Sequence, residues 1–121
     1  MKRKILGLVG SLEIELKGTD KIALLELTGQ IDSYTSQAIT EIVDSHAEKG
    51  NFKVIIDLSK VDYLDSAGLA ALINANIRLS KKQGGLRLVG LKGKAKEVFD
   101  LAGLSSMFEV FETNEAAFED F

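Results

Sequence analysis

Apolar and polar residues alternate strictly over Leu12-Glu13-Ile14-Glu15-Leu16, the period-two mark of a strand with one buried face. Gly18-Thr19-Asp20 supplies turn residues, and Ile22 to Thr28 reads as a returning strand, so a β-hairpin is expected to open the domain. The period then lengthens. Ile39, Ile42, Val43, His46 and Ala47 recur at helical spacing, with Ser33 the expected N-cap and Gly50 just beyond the end. Val54-Ile55-Ile56 is a short β-branched run of the kind found in strands covered on both faces. An apolar helix is expected over Leu69 to Leu79, closed by Lys81, Lys82 and Gly84. Leu86 to Val89 is a further strand. Ala95, Val98, Phe99 and Ala102 mark a helix stopped by Gly103, Phe108 to Phe111 a last strand, and Asn114 the cap of a final helix carrying Phe118.

The order β-β-α-β-α-β-α-β-α implies an α/β fold: a mixed, largely parallel sheet opened by a hairpin and bearing about four helices. Residues 11–121 form one domain in this reading. Residues 1–10 are an N-terminal extension, and the pattern leaves open whether Ile5 to Val9 adds an edge strand. With 121 residues the chain has room for one core. It contains no proline to mark a linker and no cysteine for disulfides or thiolate metal sites. The formal charge of −3, with both signs mixed along the chain, argues against direct nucleic-acid binding, which needs a basic face. The apolar runs are far too short to insert in a membrane, and Met1-Lys-Arg-Lys-Ile-Leu lacks the long apolar region and cleavage site of a signal peptide. A cytoplasmic protein is expected.

In open parallel sheets, function gathers where strands end and the following helices begin. The richest such junction is Asp57-Leu-Ser-Lys-Val-Asp62-Tyr-Leu-Asp65-Ser66-Ala67-Gly68-Leu69. With Asp65 as N-cap, Ser66 is the first helical residue, and Leu64 and Leu69 take the positions of a hydrophobic staple. An Asp-Ser pair here is also what simple helix capping requires. Gly68 adds information. Glycine in a first turn costs about 1 kcal/mol relative to alanine, so close approach by a partner or by another part of the backbone is expected there.

The segment Val54 to Leu69 resembles the signature of the STAS family of bacterial anti-sigma factor antagonists, in which an apolar strand leads to Asp-Ser-(Ser/Thr/Ala)-Gly-Leu. Three more segments are similar to family features: Gly29-Gln-Ile-Asp32, Gly84-Gly85-Leu-Arg-Leu-Val89, and Val98-Phe-Asp-Leu-Ala-Gly-Leu104. Together the resemblance covers about residues 11–120. It implies a partner switch and not an enzyme. A serine kinase that doubles as an anti-sigma factor phosphorylates the serine after the motif aspartate, here Ser66. A PP2C-type phosphatase reverses this, and the unmodified form binds the kinase and frees its client. The implied partner-binding residues are Asp32, Asp62, Asp65, Ser66, Ala67, Gly68 and Leu69, with no cofactor and no metal. Ala67 stands where many relatives carry a second hydroxyl. The alternative within the family is a scaffold or accessory subunit of a stress-signalling or lipid-transport complex.

Other chemistries lack their parts. A receiver-type phosphoacceptor at Asp57 would need an acidic pair after an early strand, where Lys17-Gly18 and Gly29-Gln30 stand. The glycines from Gly84 to Gly93 miss the spacing of a P-loop and are expected to stop a helix and begin a loop. His46, the one histidine, falls on an apolar stripe and is expected to be packed or half-exposed. The phenylalanines from Phe108 onward are expected to be packing residues.

Overall fold

A computed structural model describes the backbone of residues 2–121 and the side chains from residue 10 onward; Met1 lies outside the described residues. Six strands, β1 (Lys2–Val9), β2 (Leu12–Gly18), β3 (Ile22–Ile31), β4 (Lys53–Leu64), β5 (Gly85–Val89) and β6 (Glu109–Phe111), lie side by side in chain order. The pairs β1–β2 and β2–β3 are antiparallel, and β3–β4, β4–β5 and β5–β6 are parallel. The sheet is thus mixed and largely parallel, as the pattern implies. The segment from Ile5 to Val9, left open by its pattern, belongs to a paired edge strand that begins at Lys2, with a bulge between Ile5 and Gly7.

Three helices cross between the parallel strands: α1 (Ser36–Glu48), α2 (Ser66–Ser80) and α3 (Gly93–Leu101). Each right-handed crossover moves one strand in the same direction, so all three helices fall on one face. Ile39 and Val43 of α1, Leu72, Ala75 and Leu79 of α2, and Ala95 and Phe99 of α3 bury themselves there against Leu12, Ile14, Leu25, Leu27, Val54 and Ile56. Phe99 and Phe108 meet with ring centroids 5.4 Å apart. The last helix, α4 (Asn114–Phe118), covers the opposite face, where Ala117, Phe118, Phe111 and Phe121 pack over Leu24, Ile55 and Val89. Val54-Ile55-Ile56 is therefore covered on both sides, as its composition requires.

Several boundaries differ from the pattern. The side chain capping the short α4 is Thr113, which accepts from Ala116 N at 3.1 Å, and not Asn114. Helix α1 begins at Ser36, three residues after the expected cap Ser33, because Asp32 and Thr35 hold an intervening turn. After α2, the left-handed residue is Gln83 (φ 62°) and not Gly84. Gly84 is required for another reason: a Cβ there would collide with the Phe52 carbonyl. Its N–H still closes the helix by bonding Leu79 O at 3.0 Å.

The strand preceding α2 is the largest departure. Instead of ending near Ile56 and giving way to a loop, β4 runs for 12 residues to Leu64. Beside it, β3 advances from Glu26 to Thr28 while β4 advances from Asp57 to Lys60, and from Gly29 to Gln30 while β4 advances from Val61 to Tyr63. Two extra residues are thus inserted into β4 as bulges. They convert the period of two into buried residues spaced by three, Leu58, Val61 and Leu64.

Candidate functional site

Because β3 and β4 are parallel and end in register, Ile31 opposite Leu64, the turns that follow them emerge side by side. One backbone bond ties them together: Asp65 N donates to Ile31 O at 3.1 Å. Asp65 then serves as N-cap of α2, its Oδ1 accepting from Gly68 N at 2.9 Å. Leu64 is buried and Leu69 packs against the same core, so both staple positions are filled by the expected residues. Ser66 is the first residue of the helix and is exposed.

Gly68 is buried under this turn. A Cβ on it would lie 2.7 Å from Ile31 Cγ2, 2.8 Å from Ile31 O and 2.8 Å from Leu64 Cδ1. Of the two reasons for a glycine, the structure selects the approach of another part of the backbone: only a bare Cα lets α2 seat its first turn on the end of β3.

The neighbouring turn is built around Asp32. Its Oδ1 accepts from Thr35 N at 2.9 Å, Tyr34 N at 3.0 Å and the Thr35 hydroxyl at 3.2 Å. The fully buried Thr35 Oγ1 in turn accepts from Asp32 N at 2.8 Å and lies 2.9 Å from Gln30 O. The backbone N–H of Thr35, helped by the Thr35 hydroxyl and Tyr34 N–H, holds the Asp32 carboxyl below the usual carboxylate range against a smaller opposing effect of burial. Asp32 is thus a fixed anion whose partners are its own loop.

The expected site residues divide accordingly. Asp62, the extra residue of the second β4 bulge, and Ser66 are exposed; Asp32, Asp65, Ala67 and Leu69 are half-buried; Gly68 is buried beneath them. Two residues absent from the sequence reading join the surface: Tyr34, 66% exposed after Asp32, and Tyr63, 47% exposed beside Asp62. Tyr63 stands opposite Gln30 on β3, which sets both tyrosines at the strand ends that carry Ser66. An aromatic beside an acidic bulge was the available signal, but the expected loop made no particular side chain of it stand out.

The site carries an exposed hydroxyl, fixed carboxylates and aromatic surface, and among the described residues the Ser66 hydroxyl is hydrogen-bonded to no base. His46 sits near the other end of α1, lining a depression with Gly18 and Thr19, and its Nδ1 lies 2.9 Å from Ile42 O. A serine hydroxyl without a base is a poor nucleophile. Asp57 accepts from Ser59 N at 2.9 Å within β4, so it is a structural acceptor in mid-strand and not at a strand end. Among the described residues no group of acids or histidines is arranged to hold a metal. No described helix is long and apolar enough to cross a membrane.

A sequence profile of the STAS domain matches residues 13–117, nearly the whole length over which the sheet and its helices extend. The chain belongs to the STAS domain family. Among its relatives is the anti-sigma-B factor antagonist of Listeria monocytogenes, 34% identical over 100 residues that make up 83% of this chain and 87% of the relative. The crystal structure of an anti-sigma factor antagonist from Mycobacterium paratuberculosis superposes with a TM-score of 0.78 at 25% identity, covering 93% of this chain and 95% of that one. SpoIIAA, an anti-sigma factor antagonist and Bacillus cell fate determinant, shares the STAS fold at 20% identity, with TM-scores of 0.77 for its unphosphorylated and 0.71 for its phosphorylated form. These cover 86% of this chain and 91% and 95% of the respective SpoIIAA chains.

Proposed function

We propose that this STAS protein is an anti-sigma factor antagonist controlled by phosphorylation of Ser66. The observation that carries the reading is the placement of Ser66: an exposed hydroxyl at the first position of α2, on a turn fixed by the Asp65 cap and the Ile31 tie. The relatives named as antagonists support it, as does a structural neighbour known in both phosphorylated and unphosphorylated forms. In this reading an anti-sigma factor serine kinase supplies the chemistry and a PP2C-type phosphatase reverses it. The protein is a regulatory binding partner acting in the cytoplasm and not itself a catalyst.

The physics favours a switch that acts at the surface and leaves the fold intact. A phosphate on Ser66 adds about −1.5 to −2 charges beside the free N–H groups of a helix start, which tolerate an anion. The same charge lands among Asp32, Asp62 and Asp65, where an approaching partner must desolvate it. Asp62, Ser66, Tyr34 and Tyr63 form the exposed part of this docking surface. Asp32, Asp65, Ala67, Gly68 and Leu69 shape it from below.

The test is intact-mass measurement of wild type and Ser66→Ala after incubation with ATP and lysate of the host. One added phosphate on wild type alone is expected. Equal phosphorylation of both would overturn the assignment of Ser66. No phosphate on either, with the kinase active on a control substrate, would overturn the switch in favour of a scaffold role.

A further inference from the structure

Helices α1 and α2 run back from the Ser66 end of the sheet, and their C-terminal halves separate at the opposite end. Between them lies an open groove of about 610 Å³ with an apolar floor formed by Val43, Ala47, Phe52 and Leu79. Its volume is within the range of about 300–1,000 Å³ typical of small-molecule sites. One side is braced by an ion pair across the two helices, Arg78 Nη2 to Asp44 Oδ1 at 3.0 Å. At Phe52 and Lys82 the groove meets a second, smaller depression of about 290 Å³. Lys21, Lys53 and Lys82 line this depression, and no carboxylate does.

The two depressions have complementary character: the groove has an apolar floor with Asp44, Glu48, Arg78 and Lys81 at its edges, and every charged side chain lining the smaller depression is a lysine. Lys82 and Lys21 have no anionic partner among the described residues. Lys53 Nζ donates to Phe121 O at 2.9 Å, which leaves two of its three N–H donors free. In a chain of net charge −3, three lysines around one hollow that no carboxylate side chain lines are a local excess that a bound anion can offset, with Asp44 and Glu48 confined to the adjoining groove.

We propose that this end of the molecule binds a single-chain alkyl phosphate, its tail lying between α1 and α2 and its phosphate held by Lys21, Lys53 and Lys82. A phosphate monoester is the head group of choice because its second charge answers the multiple lysines, where a carboxylate answers one. The groove has room for one chain. The site is separate from Ser66 and stands or falls independently of the switch.

The experiment titrates dodecyl phosphate, below its micelle concentration, into the isotopically labelled full chain and follows backbone amide shifts. Saturable shifts are expected at Val43, Ala47, Phe52, Leu79 and Lys82, with the amides of Ser66 and Ala67 unmoved. Inorganic phosphate and dodecyltrimethylammonium are each expected to bind at least tenfold more weakly, since each offers half of the match. Ala47→Trp, which fills the groove, and the surface change Lys82→Glu are each expected to weaken dodecyl phosphate by tenfold or more. Equal binding of the cationic detergent, undiminished binding to Lys82→Glu, or the absence of saturable shifts in the folded wild type would overturn the proposal.

Discussion

A single missing carbon decides how the candidate switch is seated. Gly68→Ala would gain about 1 kcal/mol of helix propensity, yet its Cβ would press on Ile31 O and Leu64 Cδ1 at 2.8 Å. Overpacking of this kind costs about 1–3 kcal/mol, so we expect net destabilisation in urea denaturation. Ser66→Ala, by contrast, removes only an exposed hydroxyl and should change stability by less than about 0.5 kcal/mol. The exposed tyrosines are the complementary case. Tyr63→Ala should leave the denaturation midpoint nearly unchanged and weaken binding to the proposed kinase partner about tenfold or more, as expected of an aromatic anchor. Asp32 links this scale to pH. Its folded-state carboxyl titrates below the unfolded one, so its contribution is present above the unfolded value near 3.8 and is lost as pH falls through the folded value. Asp32→Asn should therefore flatten the loss of stability as pH falls below about 3.8, which a series of thermal melts would reveal.

At the scale of elements, legibility followed the regularity of the pattern. The hairpin of β2 and β3, the helical stripe of α1 and the doubly covered start of β4 obey simple periods, and each was readable from its residues. The extension of β4 to Leu64 was not. Its two bulges erase alternation while leaving Leu58, Val61 and Leu64 inside, and only the register with β3 explains that spacing. Ser33 and Asn114 have suitable residue types for caps, but Thr113 caps α4, and α1 has no side-chain cap: the Thr35 hydroxyl turns back to Asp32 N and Gln30 O in the preceding turn. Arg87 was missed for a different reason: a cation in a strand reads as surface. It is 9% exposed, donates to Ala117 O at 2.9 Å and Glu119 O at 2.8 Å, and lies 4.2 Å from the centre of the Phe121 ring. Arg87→Leu would strip those carbonyls of their donor and cost about 2–3 kcal/mol. Hydrogen exchange should show the loss first in residues 114–121.

At the scale of the whole molecule, charge is arranged by pole. Asp32, Asp62 and Asp65 gather where the parallel strands end, while Lys21, Lys53 and Lys82 line the other end. Asp62 and Asp65 are legible as a pair because they are close along the chain, and Asp32, thirty residues before Asp62, joins them only through the pairing of β3 with β4. The basic pole is not legible, because Lys21, Lys53 and Lys82 come from three stretches about thirty residues apart. If the acidic pole attracts a basic face of the proposed kinase partner, binding should weaken as salt rises, and Ser66→Asp, which loses affinity through desolvation of its added charge, should lose less at low ionic strength, where that charge is also attracted, than at high. Affinity measured at two salt concentrations for wild type and variant checks both signs.

The strands of this sheet lie in the order in which a ribosome delivers them. Each parallel strand can pair with a neighbour already made, so the nascent chain need not hold an open gap for a later segment. The turn that presents Ser66 has all its parts once β4 has joined β3 and α2, which ends at Ser80, has closed over them, before β5, α3, β6 and α4 are added. What comes last is the covering of the far face by α4, fastened through Arg87. A chain interrupted before that point would carry a formed Ser66 turn on one end and bare Leu24, Ile55 and Val89 on its back. Quality control would meet such a product as an exposed apolar sheet, however well formed its Ser66 end.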